Sequence, residues 1–514
     1  MRFAPLPGTP APGAHSQAGL SEAVLSLNLE GAAWRVETAP RAAIFIDMAD
    51  YFSAAKAAMR KARRSIHFLN WAFEPKTRFH PDPAGGEARD DQIGEFLKQL
   101  ARNDPGLDIR ILCWQSALPV AATQGFFPLQ DRRCFEGSTV KFVLDGKLPV
   151  GACHHQKMIV IDDAIAFCGG GDIGPDRWDT PRHLDDDLRR ERTARGGGYY
   201  DSRHEAMALV DGPPAAALGA LFRERWLRAT GEPLAKPPEV APAAWPDDLA
   251  PDFTDIEVGI ARTNPDWRRY PEVREVERLT LASIAAAQRC IYLENQYFTS
   301  PVVAEALARR LEEPGGPEVV LVSTQHSPSW FDQVTMDRTR SNFIIRLEQA
   351  DRHGRFRIYS PVTSLGRIII VHAKLAIIDD DFLRIGSANM NNRSAGFDTE
   401  CDLFLRASAA GDTHKASIAG LRTRLIAHWL GCPATEVDAS IAVEGGVGGA
   451  IEALRASGHC RLRPIPPVRL GPLATFIAAF HLGDPVTPAD SFRPWRRRSR
   501  LERDIQPPRA PASG

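Results

Sequence analysis

Between about residue 40 and residue 430 the chain alternates two hydrophobic patterns. Short runs rich in β-branched and aromatic residues read as strands, and segments with apolar residues three and four apart read as helices. Strands are predicted at 42–46, 65–73, 108–114, 139–144 and 205–210, with helices at 50–64, 90–102 and 214–228. In the helix at 90–102, Ile93, Phe96, Leu97 and Leu100 form one apolar face. The second half replays this order, with strands at 290–298, 318–323, 355–359 and 400–405 and helices at 273–288, 302–312 and up to 430. Alternating strands and helices predict an α/β fold with a mostly parallel or mixed sheet covered on both faces. A repeated α/β unit predicts two similar lobes about a pseudo-twofold axis.

The breaks in this pattern set the expected boundaries. Residues 1–20, rich in Pro, Gly and Ala, read as a disordered tail, 21–228 as a first lobe and 253–430 as a second. Between them, 229–252 is proline-rich without periodicity and reads as a linker. Residues 431–514 fall outside the repeat and carry a basic run from Arg493 to Arg500.

Composition narrows the class. A chain of 514 residues is long enough for two or more cores. With 63 basic and 64 acidic residues the net charge is −1, which argues against a dedicated nucleic-acid binder. No run approaches the roughly 18 apolar residues that cross a bilayer. The prolines near the N-terminus replace the apolar run of a signal peptide. A cytoplasmic or peripheral membrane location is expected, with non-classical export as an open route. The eight cysteines form no C-x-x-C pair and read as buried thiols. Asp185, Asp186 and Asp187 read as a solvated loop, so neither metal nor other cofactor is expected.

The chemistry lies in one stretch that occurs twice. His155-Gln-Lys157-Met-Ile-Val-Ile-Asp162 is followed by Gly169-Gly170-Gly-Asp172, and His372-Ala-Lys374-Leu-Ala-Ile-Ile-Asp379 by Gly386-Ser387-Ala-Asn389. Both read H-x-K-x4-D-x6-G-x2-(D/N), and every matched position is 217 residues from its counterpart, as 155 is from 372. Residues two apart in a strand share a face, so each copy offers an imidazole beside an ammonium. If the lobes bring the copies together, two lysines neutralise a phosphodiester, one neutral histidine attacks phosphorus, and the other protonates the leaving alkoxide. Glu205 and Glu400, on matched strands, are candidates to fix the imidazole tautomers. Asp162 and Asp379 end their strands and are expected to orient the site or bind backbone rather than act as bases. His154 and His67 read as structural.

The paired motif, with Asn392-Arg393-Ser394, Asp398-Thr-Glu400 and Ile-Tyr-Leu-Glu294-Asn295-Gln296-Tyr-Phe, resembles the phospholipase D superfamily. Gly169-Gly-Gly-Asp172, Arg177-Trp178-Asp179-Thr180, His204-Glu205 and Arg225-Trp226 are similar to its eukaryotic-type subgroup, although Met207 stands where that subgroup often has a second histidine. The resemblance spans about residues 40–430. It implies a double α-β-α-β-α fold and a phosphohistidine intermediate. It also implies His155, Lys157, Asp162, His372, Lys374 and Asp379 as the catalytic set, with His155 as nucleophile and His372 as acid. Asp172, Asn389, Ser387, Gly170, Glu205 and Glu400 are expected to bind phosphate or support that set. The expected substrate is a glycerophospholipid at a membrane surface, with water or a primary alcohol as acceptor. No nucleic acid is expected, and a monomer suffices because one chain holds both half-sites. A cardiolipin-synthase-like transferase, a nuclease of the same fold and a non-catalytic membrane-binding scaffold are the alternatives.

Overall fold

The computed structural model describes residues 29–82, 91–116, 127–192, 198–241, 244–327, 332–407, 412–459, 461–468 and 471–505; the expected tail at 1–20 and Cys460 lie outside them. The first half contributes β1 (Arg35–Ile46), α1 (Met48–Arg60), β2 (Ser65–Asn70), α2 (Ile93–Asn103), β3 (Asp108–Trp114), β4 (Lys141–Asp145), β5 (Met158–Ile161), β6 (Ile165–Gly169), β7 (Arg203–His204), β8 (Ala206–Asp211) and α3 (Pro213–Thr230). The second contributes β9 (Phe253–Asn264), β10 (Val273–Arg274), α4 (Glu275–Ala286), β11 (Cys290–Asn295), α5 (Pro301–Glu312), β12 (Glu318–Val322), α6 (Arg338–Ala350), β13 (Phe356–Pro361), β14 (Ile370–Val371), β15 (Lys374–Ile378), β16 (Phe382–Gly386), β17 (Glu400–Arg406) and α7 (Asp412–Leu430). Beyond α7 lie further helices and one short strand, β18 (Leu462–Pro464).

The two halves share one continuous sheet, in the order β18-β13-β12-β11-β15-β16-β17-β9-β1-β8-β6-β5-β2-β3-β4. Read outward from the β1–β9 junction, both directions give the same pairings. Four antiparallel pairs are followed by two parallel ones, β2–β3–β4 on one side and β11–β12–β13 on the other. The antiparallel β1–β9 pair, with Arg35 opposite Ile260 and Ala42 opposite Phe253, lies where a twofold relation requires two equivalent strands to meet.

Because strand side chains alternate, each half-sheet has two apolar faces. The outer face of the first half, with Ile66, Phe68, Ile109 and Phe167, packs under α1 and α2. The outer face of the second, with Ile291, Leu321 and Phe404, packs under α4, α5 and α6. The inner faces fuse into one core, where Val160, Ala166, Cys168 and Ala208 join Leu383, Ile385, Cys401 and Leu403, flanked by Phe222 and Trp226 of α3 and Leu421 and Leu425 of α7. The result is an α-β-α-β-α stack. The seven described cysteines are free thiols; Cys168 and Cys401 meet across the lobes at 4.0 Å between sulfurs.

Two expected boundaries change character. Residues 231–252 lack regular structure where described, yet they are a strap rather than a free spacer. Trp245 is buried in the first lobe, under the Arg41 guanidinium at 4.5 Å, and its carbonyl accepts from Lys61 Nζ at 2.9 Å. The C-terminal extension is built into the second lobe. β18 pairs with β13, and Asp484 accepts from the backbone N–H groups of Asn392 and Arg393 at 3.1 and 2.9 Å. From the basic run, Arg497 is buried and donates to the carbonyls of Asp490 and Ser491, whereas Trp495 is exposed.

Gly259 tests the junction. A Cβ there would stand 1.9 Å from the ring of Phe404, whereas a Cβ on Gly420, exposed on α7, meets nothing within 4 Å. Gly259→Val is expected to cost about 1–3 kcal/mol by overpacking, and Gly420→Ala to add up to about 1 kcal/mol by removing helix-interior glycine. Urea unfolding of both variants measures this; equal midpoints would contradict the packing at β9.

Candidate active site

The two motifs meet because each is threaded beside the other lobe. The backbone N–H of His155 donates to Thr399 O at 3.0 Å, and that of His372 to His204 O at 2.8 Å. β7 and β14 pair in parallel, and an isolated bridge joins His154 to Thr399. Each histidine is thereby laid against the residue that precedes the other lobe's glutamate. His155 Nδ1 lies 2.9 Å from Glu400 Oε2, and His372 Nδ1 lies 2.5 Å from Glu205 Oε1. The second contact is close but angled away from the hydrogen-bond direction. Both carboxylates are fully buried, while the imidazoles keep 14% and 11% of their surface, so a substrate reaches the rings first.

Histidine and lysine stand side by side for a reason other than strand alternation. His155 and Lys157 precede β5, and His372 lies between β14 and β15. Each lysine folds back onto its own motif: Lys157 Nζ donates to His155 O at 2.7 Å, and Lys374 Nζ donates to His372 O. Lys157 also pairs with Asp172 at 3.3 Å. Asp172 in turn accepts from Trp71 N at 2.9 Å and Ala72 N at 3.2 Å, which ties the lysine to the end of β2.

The carboxylates differ in what surrounds them. Glu400 accepts from Ser387 Oγ at 2.5 Å and Ser394 Oγ at 2.7 Å as well as facing His155. Around Glu205 no described residue donates an aligned side-chain hydrogen bond. The counterpart of Ser387 is Gly170, where a Cβ would already lie 2.9 Å from Glu205 Oε2 and 3.2 Å from Lys374 Cδ. The motif glycine also has a steric cause. A Cβ on Gly386 would stand 2.4 Å from Cα of Asp402 on the neighbouring strand.

Burial sets the protonation states. It lowers both motif histidines well below the usual imidazole range, and Lys157 and Lys374 reinforce this. Lys374 is drawn down to about 7 by desolvation, with Glu205 opposing and Lys157 adding to the fall. Burial pushes Glu400 up to about 8, against Lys157, Ser387 and Ser394, which favour its ionised form. The substrate-free cleft therefore holds neutral imidazoles beside buried cations, of which Lys157 pairs with Asp172 and Arg177 and Arg203 share Asp176.

Other expected residues take different places. Asp162 and Asp379 stand away from this cluster, at the far ends of β5 and β15. Asp162 accepts from the N–H groups of Arg63, Arg64 and Ser65 at 2.9, 2.7 and 2.8 Å, and Asp379 from those of Gln288, Arg289 and Cys290 at the same three distances. Saturated with backbone donors, they anchor the loops entering β2 and β11, which is the backbone-binding role expected of them, and they do not reach the histidine–lysine cluster. Asn389 is one step removed, its N–H bonded to Ser394 Oγ at 3.0 Å. His67 stacks on Phe222, and His154 lies between Asp145 at 2.9 Å and Thr399 at 3.2 Å. Asp185, Asp186 and Asp187 each have a partner, in Thr363, Arg367 and Arg189.

Several contributors had no assigned role in the sequence. Arg177 and Arg203, both buried and paired with Asp176, bear electrostatically on His372. Asp398 bonds Arg393 and the N–H of Cys153, fixing the approach to His155. Asp47, at the β1–α1 junction, accepts from Glu205 N at 3.1 Å and donates its own N–H to Glu205 O at 2.9 Å. The adjacency of Arg203 to His204-Glu205 was an available signal; Asp47 lies in no motif.

Comparison with known proteins agrees with this arrangement. Residues 280–419 match the family described as cardiolipin synthase, PLD-like domain. The chain is 25% identical over 329 residues to phospholipase D gamma 2 of Arabidopsis thaliana, covering 49% of this chain and 37% of that protein. It is 24% identical over 411 residues to phospholipase D A of Dictyostelium discoideum, covering 68% of this chain and 31% of that protein. These matches span about a third of the relatives' length. The crystal structure of phosphatidylserine synthase from Haemophilus influenzae Rd KW20 has the same fold, with a TM-score of 0.53 and 11% identity over 94% of this chain and 96% of that one. With its doubled motif closed into one cleft, the chain belongs to the phospholipase D superfamily.

Proposed function

We propose that the protein is a phosphodiesterase that cleaves the distal phosphodiester of glycerophospholipids, giving phosphatidate and the free headgroup alcohol. The observation that carries this reading is the crosswise pairing of His155 with Glu400 and His372 with Glu205 beside two buried lysines. With Nδ1 of each ring facing a carboxylate, Nε2 is left for chemistry. His155 Nε2 attacks phosphorus, and the P–O bond to the headgroup breaks. The leaving alkoxide takes the proton of His372, and a phosphatidyl–histidine remains. Neutral His372 then removes a proton from water, which attacks phosphorus, expels His155 and completes phosphatidate. A primary alcohol in place of water gives a phosphatidyl alcohol by the same steps.

Lys157 and Lys374 neutralise the non-bridging oxygens and stabilise the charge that builds in each transition state. The site's own electrostatics support an anionic substrate. Four buried cations, Lys157, Lys374, Arg177 and Arg203, bear on His372, and a bound phosphodiester anion raises the proton affinity of His372 and Lys374 together.

The substrate lies at a lipid surface that the protein approaches peripherally. Among the described residues no helix is long and apolar enough to cross a membrane. A phosphatidyltransferase working through the same intermediate is the second reading, favoured by the match of residues 280–419 to a cardiolipin synthase description.

Purified protein is expected to release choline or ethanolamine from phosphatidyl lipids in vesicles and to form a phosphatidyl alcohol when a primary alcohol is added. His155→Ala and His372→Ala are each expected to lower turnover at least about a thousandfold. Full activity in either variant would remove the two-histidine mechanism, and transfer without hydrolysis at any alcohol concentration would favour the second reading.

The free enzyme needs Lys374 charged and Glu400 ionised. With Lys374 held at about 7 and Glu400 at about 8, kcat/KM is expected to be highest between these values and to fall on either side. Lys374→Arg stays charged at every accessible pH, so the alkaline fall is expected to lose the Lys374 contribution and to report only the proton that His372 must take up. A profile unchanged by that substitution would exclude Lys374 as the titrating group.

A further inference from the structure

Behind the catalytic cleft lies a second cluster that the phosphodiester chemistry does not use. Asp47 leaves the end of β1, His183 comes from the loop before β7, and His428 from the last turn of α7 in the other lobe. Their free atoms converge. His183 Nε2 stands 3.1 Å from His428 Nε2 and 3.5 Å from Asp47 Oδ2, and His428 Nε2 stands 3.9 Å from Asp47 Oδ2. The side chains of Asp47 and His183 are fully buried and that of His428 is 7% exposed. Asp47 Oδ2 is buried without a hydrogen bond.

These separations have a specific meaning. Ligands about 2.0–2.1 Å from a tetrahedral ion lie about 3.3 Å from one another. Three donors at 3.1, 3.5 and 3.9 Å therefore surround a point where one ion reaches all three. The outer atoms are already committed. His183 Nδ1 faces Asp179 Oδ2 at 2.9 Å, and Asp47 Oδ1 faces His204 Nδ1 at 2.9 Å; His204 Nε2 is held by Glu294 at 2.8 Å. A carboxylate on the far nitrogen of a histidine fixes its tautomer and raises its basicity as a ligand. Without an ion, one imidazole can donate to the other, but Asp47 Oδ2 keeps no hydrogen bond, although Oδ1 is paired with His204.

We propose that Asp47, His183 and His428 bind one divalent transition-metal ion of the zinc class, with a fourth position open to water. Two nitrogen donors and one carboxylate oxygen favour zinc, cobalt or nickel over magnesium or calcium, which take oxygen ligands. The ion joins the lobes, since His428 belongs to the second and the other two ligands to the first. It also sits behind one catalytic pair. Asp47 holds the backbone of Glu205 on both sides, and His204 O receives the His372 N–H. The ion thus positions the Glu205–His372 pair without touching phosphorus, and its presence is independent of which phosphodiester the protein cleaves.

The test uses the full chain, expressed without a histidine tag and stripped by dialysis against a chelator. Zn2+ is titrated against a chromophoric competitor, and Co2+ binding is followed by visible absorption. One tight equivalent per chain, a four-coordinate Co2+ spectrum and a raised Tm on metal addition are expected. His428→Ala is expected to lower Zn2+ affinity about a hundredfold or more, while Asp186→Asn, in the separate acidic run, leaves it unchanged. Wild-type protein that binds no stoichiometric Zn2+, or gives only six-coordinate Co2+, overturns the proposal even if the His428 variant fails to fold. Equal affinity in folded His428→Ala overturns it as well.

Discussion

Each imidazole of the cleft is oriented by a carboxylate from the opposite lobe, and much of the molecule serves that exchange. Neither lobe contains a complete catalytic unit. The first supplies His155, Lys157 and Glu205, the second His372, Lys374 and Glu400, and the pairs form only when the lobes are in register. The register is set in two places. The β1–β9 pair fixes how the half-sheets join, and the backbone bonds from His155 to Thr399 and from His372 to His204 fix how the motifs pass each other. A shift of one residue at either seam would turn the glutamates to the wrong face.

Such a cleft is costly to build, because it buries many charges. The cost is contained by giving buried ions more than one partner, some within a lobe and some across the boundary. Arg225 and His154 share Asp145; Glu294 accepts from His204, Tyr292 and Trp429; Asp398 holds Arg393 and the N–H of Cys153. Removing one partner of a buried pair strands the other, which costs far more than the pair contributes. These bonds therefore specify one lobe arrangement more than they add stability. The cleft follows the same rule, with Lys157 on Asp172 and with Arg177 and Arg203 on Asp176.

The motif strands and the paired histidines were legible because their apolar runs are short, strongly patterned and repeated. β9 and the first half of β1 were not. Their sequences, Phe253-Thr-Asp-Ile-Glu-Val-Gly and Arg35-Val-Glu-Thr-Ala-Pro-Arg41, mix charge into the strand, since part of each runs exposed. Their pairing is decided by tertiary closure, which periodicity does not report. The match of Glu205 to Glu400 was visible, but spacing alone does not say which histidine each one serves. Asp162 and Asp379, read as orienting the site or binding backbone, do the latter. A recurrent acidic residue beside a histidine suggests chemistry, whereas three consecutive N–H groups at a strand entrance need a carboxylate just as strongly.

The pseudo-symmetry is broken where the proposed mechanism needs it broken. The two histidines start alike, both neutral in the empty cleft, yet one must attack phosphorus and the other must carry a proton. Glu400 spreads its charge over the hydroxyls of Ser387 and Ser394, so it orients His155 with little pull on an added proton. Glu205 faces Gly170 in place of a serine and, among the described residues, has no hydroxyl donor. In the proposed mechanism the entering phosphodiester anion offsets the Lys374, Arg203 and Arg177 charges beside His372, which otherwise keep a proton off that ring. The missing hydroxyl at Gly170 is thus one difference between the half-sites on which the proposed unequal roles rest.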